Sequence, residues 1–440
     1  MNLSPSQKAI FTVLSMCVCA LPTFADEFVS VDDRGRSIAP ALRRAVEGST
    51  VWLEEGEYNQ KILVSLCDNV TLRGSGVYAE RTVIKTDATN HHFMLNNFCR
   101  DRSITITFQN LTFAGAGLHG EGFKDGLDFS QVNARFINCR FIDIQSQYTD
   151  DEDQPAGSRS VGAINIYESS ASFLGCLFRD CGVSWERADA ITHIVRGGAI
   201  NSFDSELELT DCEFSGNYLH VRDYDRDHFQ IPSEASGGAI ATKKGTLRLL
   251  RCEFESNVVS GVPGQPQPQV LRGGAVYSQL MDRIWITDCV FNGNRAEQAG
   301  HMAANDLGTG GAVHVRGNDK DAWVFYSTNN QYIENIADVS GGALYAEGSA
   351  IAKSRDDLFE CNSLEQVDGD WRDLINNEFI DCEPCPADLN GDGLVDKRDL
   401  LLIFYNLGPV KKGDSSKYDL NEDGVVNVKD YFLWLTLGDC

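Results

Sequence analysis

One tripeptide followed by an aliphatic residue recurs along the middle of this chain. It reads Gly197-Gly198-Ala199-Ile200, Gly237-Gly238-Ala239-Ile240, Gly273-Gly274-Ala275-Val276, Gly310-Gly311-Ala312-Val313 and Gly341-Gly342-Ala343-Leu344, with a weaker copy at Val161-Gly162-Ala163-Ile164. The copies lie about 31–40 residues apart, a period that belongs to architectures in which one supersecondary unit stacks on the next. A second motif accompanies it, apolar-x-apolar-x-x-Cys-x-Phe. Its instances are Ala134/Phe136/Cys139/Phe141, Ala171/Phe173/Cys176/Phe178, Leu207/Leu209/Cys212/Phe214, Leu247/Leu249/Cys252/Phe254 and Ile284/Ile286/Cys289/Phe291. An earlier copy, Ile106/Phe108/Leu111/Phe113, has Leu in the cysteine slot. Asn often stands three residues after the aromatic, at Asn217, Asn257, Asn294 and Asn335.

Alternation with period two places the first two apolar residues of the second motif on one face of a strand. The extra residue before Cys shifts the parity, as is needed where a chain turns a corner and the same side must stay inside. Two short strands meeting at a bend, repeated with loops of variable length, are what a coil of a parallel β-helix requires. An antiparallel sandwich does not predict a parity shift at the same place in every repeat. The expected product is a solenoid with ladders of Cys, Phe and Ala inside, and with Asn stacked rung on rung through its amides. Cys139, Cys176, Cys212, Cys252 and Cys289 are then buried thiols behaving as small hydrophobes.

The Gly-Gly-Ala-aliphatic and Phe-x-x-Asn repeats resemble those of chlamydial-type polymorphic outer-membrane proteins, which form right-handed parallel β-helices. Near the start, Ser37–Val46 reads as a short amphipathic helix. It leads into Val51-Trp52-Leu53, Glu55-Gly56-Glu57-Tyr58 and Val70-Thr71-Leu72-Arg73-Gly74-Ser75-Gly76. That order resembles the entry of the pectate-lyase-like superfamily. A helix there caps the unpaired strand edges that the open end of a solenoid exposes. The expected fold class is therefore all-β, with a small α-helical module appended.

Residues 1–25 read as a signal peptide: Lys8, an apolar run from Ala9 to about Leu21, and Thr23-Phe24-Ala25 before a mature start near Asp26. Leu14-Ser15-Met16-Cys17 lacks the small residue that lipidation wants. No later segment is apolar enough over sufficient length to span a membrane. The net charge of −26 argues against nucleic acid, because no Lys/Arg stripe is present to meet phosphates. Twelve cysteines remain after Cys17 and Cys19 are set aside with the leader, a number that permits disulfides in an oxidising compartment. The expected division is solenoid over 26–383 and a calcium module over 384–440.

In that module, Asp388-Leu389-Asn390-Gly391-Asp392-Gly393-Leu394-Val395-Asp396-Lys397-Arg398-Asp399 fits a calcium loop. Asp388, Asn390, Asp392, the Leu394 carbonyl, Asp396 and Asp399 stand at ligand positions, and Gly393 allows the sharp turn. A second copy offers Asp419, Asn421, Asp423, the Val425 carbonyl, Asn427 and Asp430. Hard oxygen donors at this spacing select Ca²⁺. Cys382-Glu383-Pro384-Cys385-Pro386 leaves no room for a helix before the first loop, whereas helices are expected after each, over Asp399–Asn406 and Asp430–Thr436. A duplicated loop with an exiting helix resembles a type I dockerin, and the resemblance implies docking to a cohesin. Lys397/Arg398 and Val428/Lys429 occupy the loop positions where dockerins carry recognition residues. Cys440 is expected to clasp Cys385 or Cys382.

Loops from one corner of successive coils stack into a binding face. The long ones are Gly182–Arg196, Tyr218–Ser236, Val258–Arg272 and Arg295–Thr309. Their candidate acid/base and anion-holding residues are Arg196, Arg222, Asp223, Asp225 and His228. No specific catalytic signature accompanies them. Two readings follow. One is a secreted protein that binds or degrades an extracellular polysaccharide, as a lyase or glycoside hydrolase. The other is a non-catalytic surface or adhesion protein held through its dockerin-like module.

Overall fold

The computed structural model describes residues 26–29, 38–59, 62–85, 93–97, 103–115, 126–148, 162–187, 194–223, 234–261, 270–298, 307–317, 324–348, 351–363, 365–382, 387–389, 395, 397–410 and 416–437. The leader, 1–25, lies outside them. Between residues 27 and 380 the described strands pair in parallel with their counterparts one repeat later, forming sheets of twenty, eleven, six and four strands. The chain is thus a solenoid of stacked coils.

Each full coil follows the order the motifs imply. The segment after Gly-Gly-Ala enters the long sheet, as in Ile164–Tyr167, whose register is Ile164↔Ile200↔Ile240↔Val276↔Val313↔Leu344. The apolar-x-apolar strand continues the same sheet, as in Ala171↔Leu207↔Leu247↔Ile284↔Phe325. A corner follows, and then the Cys-x-Phe strand in the eleven-stranded sheet. The parity shift has a simple cause. The residue before the cysteine slot sits in the left-handed region, with φ between 50 and 60° at Asn110, Asn138, Gly175, Asp211, Arg251, Asp288, Asn329, Asp356 and Asn376. Short polar residues and Gly tolerate that conformation best, and the list is mostly Asn, Asp and Gly. The first glycine of each tripeptide makes another such corner. A Cβ on the second would overlap the carbonyl of the same glycine in the next coil, from Gly198 onto Gly238 through to Gly311 onto Gly342.

Inside, the aromatic ladder runs unbroken from Phe113 through Phe141, Phe178, Phe214, Phe254, Phe291, Tyr332 and Phe359 to Phe379, ring centroids 4.5–5.1 Å apart. Each stacked pair adds about 0.5–1.5 kcal/mol beyond its buried area. Cys139, Cys176, Cys212, Cys252 and Cys289 are free and buried, as expected. Their slot is filled further on by Asn330, Asp357 and Asn377, linked from rung to rung by backbone-to-side-chain hydrogen bonds. The asparagine ladder is complete: Asn217, Asn257, Asn294 and Asn335 each donate Nδ2 to the next rung's Oδ1, at 2.8–2.9 Å, ending on Asn362. At the entry, helix α1 (Ile38–Arg44) buries Ile38, Ala39, Ala41 and Leu42 on the first coils.

Two expectations change. The long segments are not plain loops. Their first residues form a third strip, Gly182–Arg187, Tyr218–Asp223, Val258–Gly261 and Arg295–Gln298, and their last residues a fourth, Ile194–Arg196, Glu234–Ser236, Val270–Arg272 and Leu307–Thr309. Val183, Leu219, Val221 and Val259 of the third strip pack against Val195, Ala235 and Leu271 of the fourth in a small core of their own. The polar stretch 362–371 also continues the solenoid, because Val367–Gly369 pairs with Leu344–Glu347. Finally, Cys382 is disulfide-bonded to Cys361, 21 residues back, and so cannot clasp Cys440. Rung stacking brings Leu358–Glu360 beside Glu378–Ile380, and the residues after each strand become neighbours. Cys385 and Cys440 lie outside the described residues.

In the C-terminal module, α2 (Lys397–Tyr405) and α3 (Val428–Leu437) each begin two residues earlier than expected. Ala387, Leu389, Ile403, Val426 and Trp434 form its core, and Trp434 Nε1 donates to the Ala387 carbonyl at 2.7 Å. Among the described residues no helix is long and apolar enough to cross a membrane.

Candidate functional site

Period-two alternation sends every second residue after the tripeptide outward. In consecutive coils these outward residues are Asn201, Ala241, Tyr277, His314 and Tyr345, side by side on the long sheet. The next outward row is Tyr167, Phe203, Lys243, Gln279, Arg316 and Glu347. The fourth strip lies over this face. Val195 and Leu271 point into the small core, so Arg196 and Arg272 point the other way, toward the sheet. Floor and wall meet along the solenoid axis and bury Ala241, Tyr277 and His314 between them, and the half-buried Lys243, Gln279 and Arg316 border this cleft-like seam.

Arg196 Nη2 donates to Gln279 Oε1 at 3.3 Å and to Glu234 Oε1 at 3.4 Å. Arg272 Nη1 pairs with Glu234 Oε2 at 3.1 Å, and its guanidinium lies over the Tyr277 ring, 5.9 Å from the centroid. His314 shares a hydrogen bond with Thr309 Oγ1 through Nδ1 at 2.8 Å and packs between Tyr277 and Tyr345. Glu347 closes the stretch, 2.8 Å from Arg316 Nε and 3.7 Å from His314 Nε2. At the other end Tyr167 and Phe203 stack at 5.2 Å, with Lys243 and Lys244 over the Phe203 ring.

Burial raises the Glu234 carboxyl, but Arg272 and Arg196 overcome it and the net shift is downward. Burial also raises Glu347, yet His314, Arg316 and Arg272 hold it down to about 2. Burial lowers His314 below its usual value, so the ring is neutral at pH 7. Between Lys243 and Glu347, four cations (Lys243, Arg196, Arg272, Arg316) therefore face two carboxylates. Several polar atoms there lack any partner in hydrogen-bonding geometry, among them Arg196 Nε, the Tyr277 hydroxyl and His314 Nε2. Buried polar atoms are nearly always paired, and the exceptions mark functional sites or missing partners.

Of the sequence candidates, Arg196 is in this cleft. Arg222 and Asp223 end a strand of the third strip, with their side chains outside the described residues. Asp225 and His228 also lie outside them. Glu234, Arg272, Tyr277, His314, Arg316 and Glu347 were not singled out. A signal was present: Arg immediately precedes the tripeptide at 196 and 272, and an aromatic follows its aliphatic at 277, 314 and 345.

The second calcium loop is described throughout. Asp430 is fully buried and accepts the Asn421 and Asn427 amides at 3.2 and 2.7 Å. Asp419 accepts those of Asp423 and Gly424. The loop therefore folds its acidic side chains inward over its own backbone, and an all-oxygen donor set of this kind fits Ca²⁺. Asp423 leans to Lys429 Nζ at 3.1 Å, and among the described residues no three His, Cys, Asp or Glu side chains already converge as a metal site. In the first loop, Asp399 is fully buried and Asp388 half-buried. Asn390, Asp392, Leu394 and Asp396 lie outside the described residues.

Comparison with known proteins bears on both parts. The Escherichia coli (strain K12) protein described as probable autotransporter YfaL is 31% identical over 134 residues, which is 30% of this chain and 10% of that protein. The chain thus spans about a tenth of the length of that relative. Bacteriophage CBA120 tailspike protein 3 is similar at 12% identity and TM-score 0.29, over 80% of this chain and 60% of that one. The catalytic domain of a GH87 α-1,3-glucanase is similar at 12% and 0.26, over 81% and 68%, and Aspergillus niger pectin methylesterase at 10% and 0.24, over 82% and 88%. The strand register described above, not these scores, establishes the solenoid. Residues 386–434 match the dockerin type I domain family, and the protein is a parallel β-helix carrying a C-terminal dockerin type I domain.

Proposed function

We propose that this is a secreted protein that binds an extracellular polysaccharide in the cleft and is attached to a cohesin-bearing partner through its dockerin domain. The observation that carries the binding reading is the row of buried polar atoms without partners, opening onto a line of aromatic and charged side chains. A linear polymer lying along the solenoid axis would meet a new side chain at each rung, about every 4.8 Å. Tyr167 and Phe203 offer faces on which sugar rings could stack.

Binding is favoured over acid-catalysed glycoside hydrolysis by the state of these two carboxylates. Glycoside hydrolysis needs one carboxyl whose pKa is raised, to act as general acid. Glu234 and Glu347 are both shifted downward and both held by arginine. The 134-residue likeness to an autotransporter supports a related reading, an adhesive surface protein whose ligand is still a glycan.

The dockerin domain supports both calcium and a cohesin partner. Asp388, Asn390, Asp392, the Leu394 carbonyl, Asp396 and Asp399 would hold one ion, and Asp419, Asn421, Asp423, the Val425 carbonyl, Asn427 and Asp430 the other. Bound calcium supplies the positive charge that draws each loop's oxygens together. Cohesin contact would fall to Lys397, Val428 and Lys429, exposed at the starts of α2 and α3, together with Arg398. Affinity electrophoresis of the full chain through gels cast with a range of polysaccharides tests the glycan reading, with ultraviolet absorbance and reducing-end assays run beside it. Retardation without product is expected. Product release would refute pure binding, and mobility unchanged in every gel would refute the glycan reading.

A further inference from the structure

We infer that the cleft takes an acidic polysaccharide, seating its carboxylate or sulfate groups against Lys243, Arg272 and Arg316. The inference rests on the cleft being a glycan site and adds the charge class of the glycan. Three observations lead to it.

The first is charge. The chain as a whole carries −26, and yet between Lys243 and Glu347 the cleft holds four cations against two carboxylates. A local reversal of sign within an acidic surface focuses anions on that spot. The second is hydrogen-bonding capacity. Arg196 Nε can only donate and the Tyr277 hydroxyl has a proton to give, and neither proton has an acceptor in hydrogen-bonding geometry. Arg196 is 9% exposed and Tyr277 0%. The carboxylates nearby are already taken by Arg196, Arg272 and Arg316. Glu347 Oε1 and His314 Nε2 are also without a hydrogen-bond partner, so unmet donors and acceptors are both present, and it is the excess of cations that an anionic oxygen would answer. The third is access. Lys243, Gln279 and Arg316 stand on the outer row, with the Arg316 side chain 39% exposed, while Arg196 and Tyr277 back them from behind. An anion reaches the outer row first, and Arg272 lies beside it, 13% exposed.

Carboxylate and sulfate share this chemistry, and a matched polymer series separates them. The full chain would be run against neutral dextran, carboxymethyl-dextran, dextran sulfate and polygalacturonate, at low and raised salt, with polyglutamate as a non-saccharide polyanion. Retention by one or more acidic polysaccharides, weakened by salt, is expected, and the stronger of the carboxymethyl and sulfate arms names the group. The double variant Lys243→Gln/Arg316→Gln removes outer-row charge and leaves the Glu234 pairs in place. It should lose about tenfold or more in affinity with an unchanged circular dichroism spectrum. Tyr277→Phe should weaken binding without loss of stability. Neutral and acidic polysaccharides held equally would overturn the charge class and leave the glycan reading standing. If no polysaccharide is held, both fall. Equal retention by polyglutamate would overturn the saccharide assignment, and full affinity in the double variant would overturn the placement.

Discussion

Replacing Asn257 with Ala should be among the most damaging single changes in the solenoid, although it removes only a small polar side chain. Asn257 is fully buried and uses all four of its amide hydrogen-bonding positions. Its Nδ2 donates to the Phe214 carbonyl at 3.0 Å and to Asn294 Oδ1 at 2.9 Å. Its Oδ1 accepts Asn217 N at 3.1 Å and Asn217 Nδ2 at 2.8 Å. Asn257→Ala leaves two buried groups without partners, the Asn217 amide and one Asn217 Nδ2 proton, whereas the Phe214 carbonyl stays in the parallel ladder with Glu253–Glu255. Asn294 Oδ1 keeps its bond from Asn257 N. Each orphan costs about 1–3 kcal/mol. A water entering the vacated space recovers part of that, so a loss of about 2–4 kcal/mol is expected. Solenoids unfold by neighbouring units, not always as one block. The assay is therefore urea unfolding of the full chain followed by circular dichroism, with amide exchange to locate the loss around 213–215 and 253–255. Asn133→Ala is the control, an asparagine on the outer face that donates to Ser103 Oγ and accepts the Ser170 amide, groups that water can reach, where about 1 kcal/mol or less is expected. Equal unfolding midpoints for the two variants would refute the ladder argument.

Two further outcomes follow from the same reasoning. Asp430→Asn, at the buried twelfth position of the second loop, should weaken calcium binding there by at least the ~10–100-fold that loss of even an outer-shell partner costs, with the first loop spared; titration calorimetry showing two unchanged sites would contradict the ligand assignment. On acidification, Glu347 should contribute a loss of stability. Its folded pKa, about 2, lies below its ordinary value of 4.5, so its contribution is complete above about pH 4.5 and lost as pH falls toward 2. Glu347→Gln should flatten thermal stability across that window, and an unaltered pH profile would count against the Arg316 and His314 contacts.

The solenoid was legible because its inside obeys a strict rule. Phe214, Cys212 and Leu209 can be read as inward from parity alone, and the corner before Cys212 announces itself through Asp211, a residue that accepts positive φ. The third and fourth strips were hidden for a matching reason. Their buried residues, such as Val183 and Val195, or Leu219 and Ala235, are few and sit at opposite ends of insertions of unequal length. No fixed period connects them. The cleft was harder still. Arg196 and Gln279 touch across 83 residues of sequence, and only the stacking of coils brings them together. The disulfide shows the same effect. Cys361 and Cys382 look unrelated in sequence, but they follow strands that pair as neighbouring rungs.

This division between inside and outside explains where function can reside in such a chain. Inward positions are fixed by the ladders: an aromatic must stack on an aromatic, and an asparagine must meet an asparagine or orphan its amide. Where the cysteine slot changes to Asn330, Asp357 and Asn377, the replacement is itself a hydrogen-bonded ladder, and Ser354 Oγ donates to Asp357 Oδ2 at 2.5 Å. Outward positions carry no such constraint. Along one row they run from Tyr167 and Phe203 through Lys243 and Gln279 to Arg316 and Glu347, a different chemistry at nearly every rung. Exposed outward side chains alone would make a flat, solvated surface with little hold on a ligand. The fourth strip changes that, because it roofs the row with Arg196 and Arg272 and excludes water from their contacts with Glu234. In the lower dielectric so created, charge pairs and unpaired donors interact more strongly than they would on an open sheet. The insertions are thus what turn an outward row into a cleft, and among the described residues the fourth strip runs through four successive coils, from Ile194–Arg196 to Leu307–Thr309.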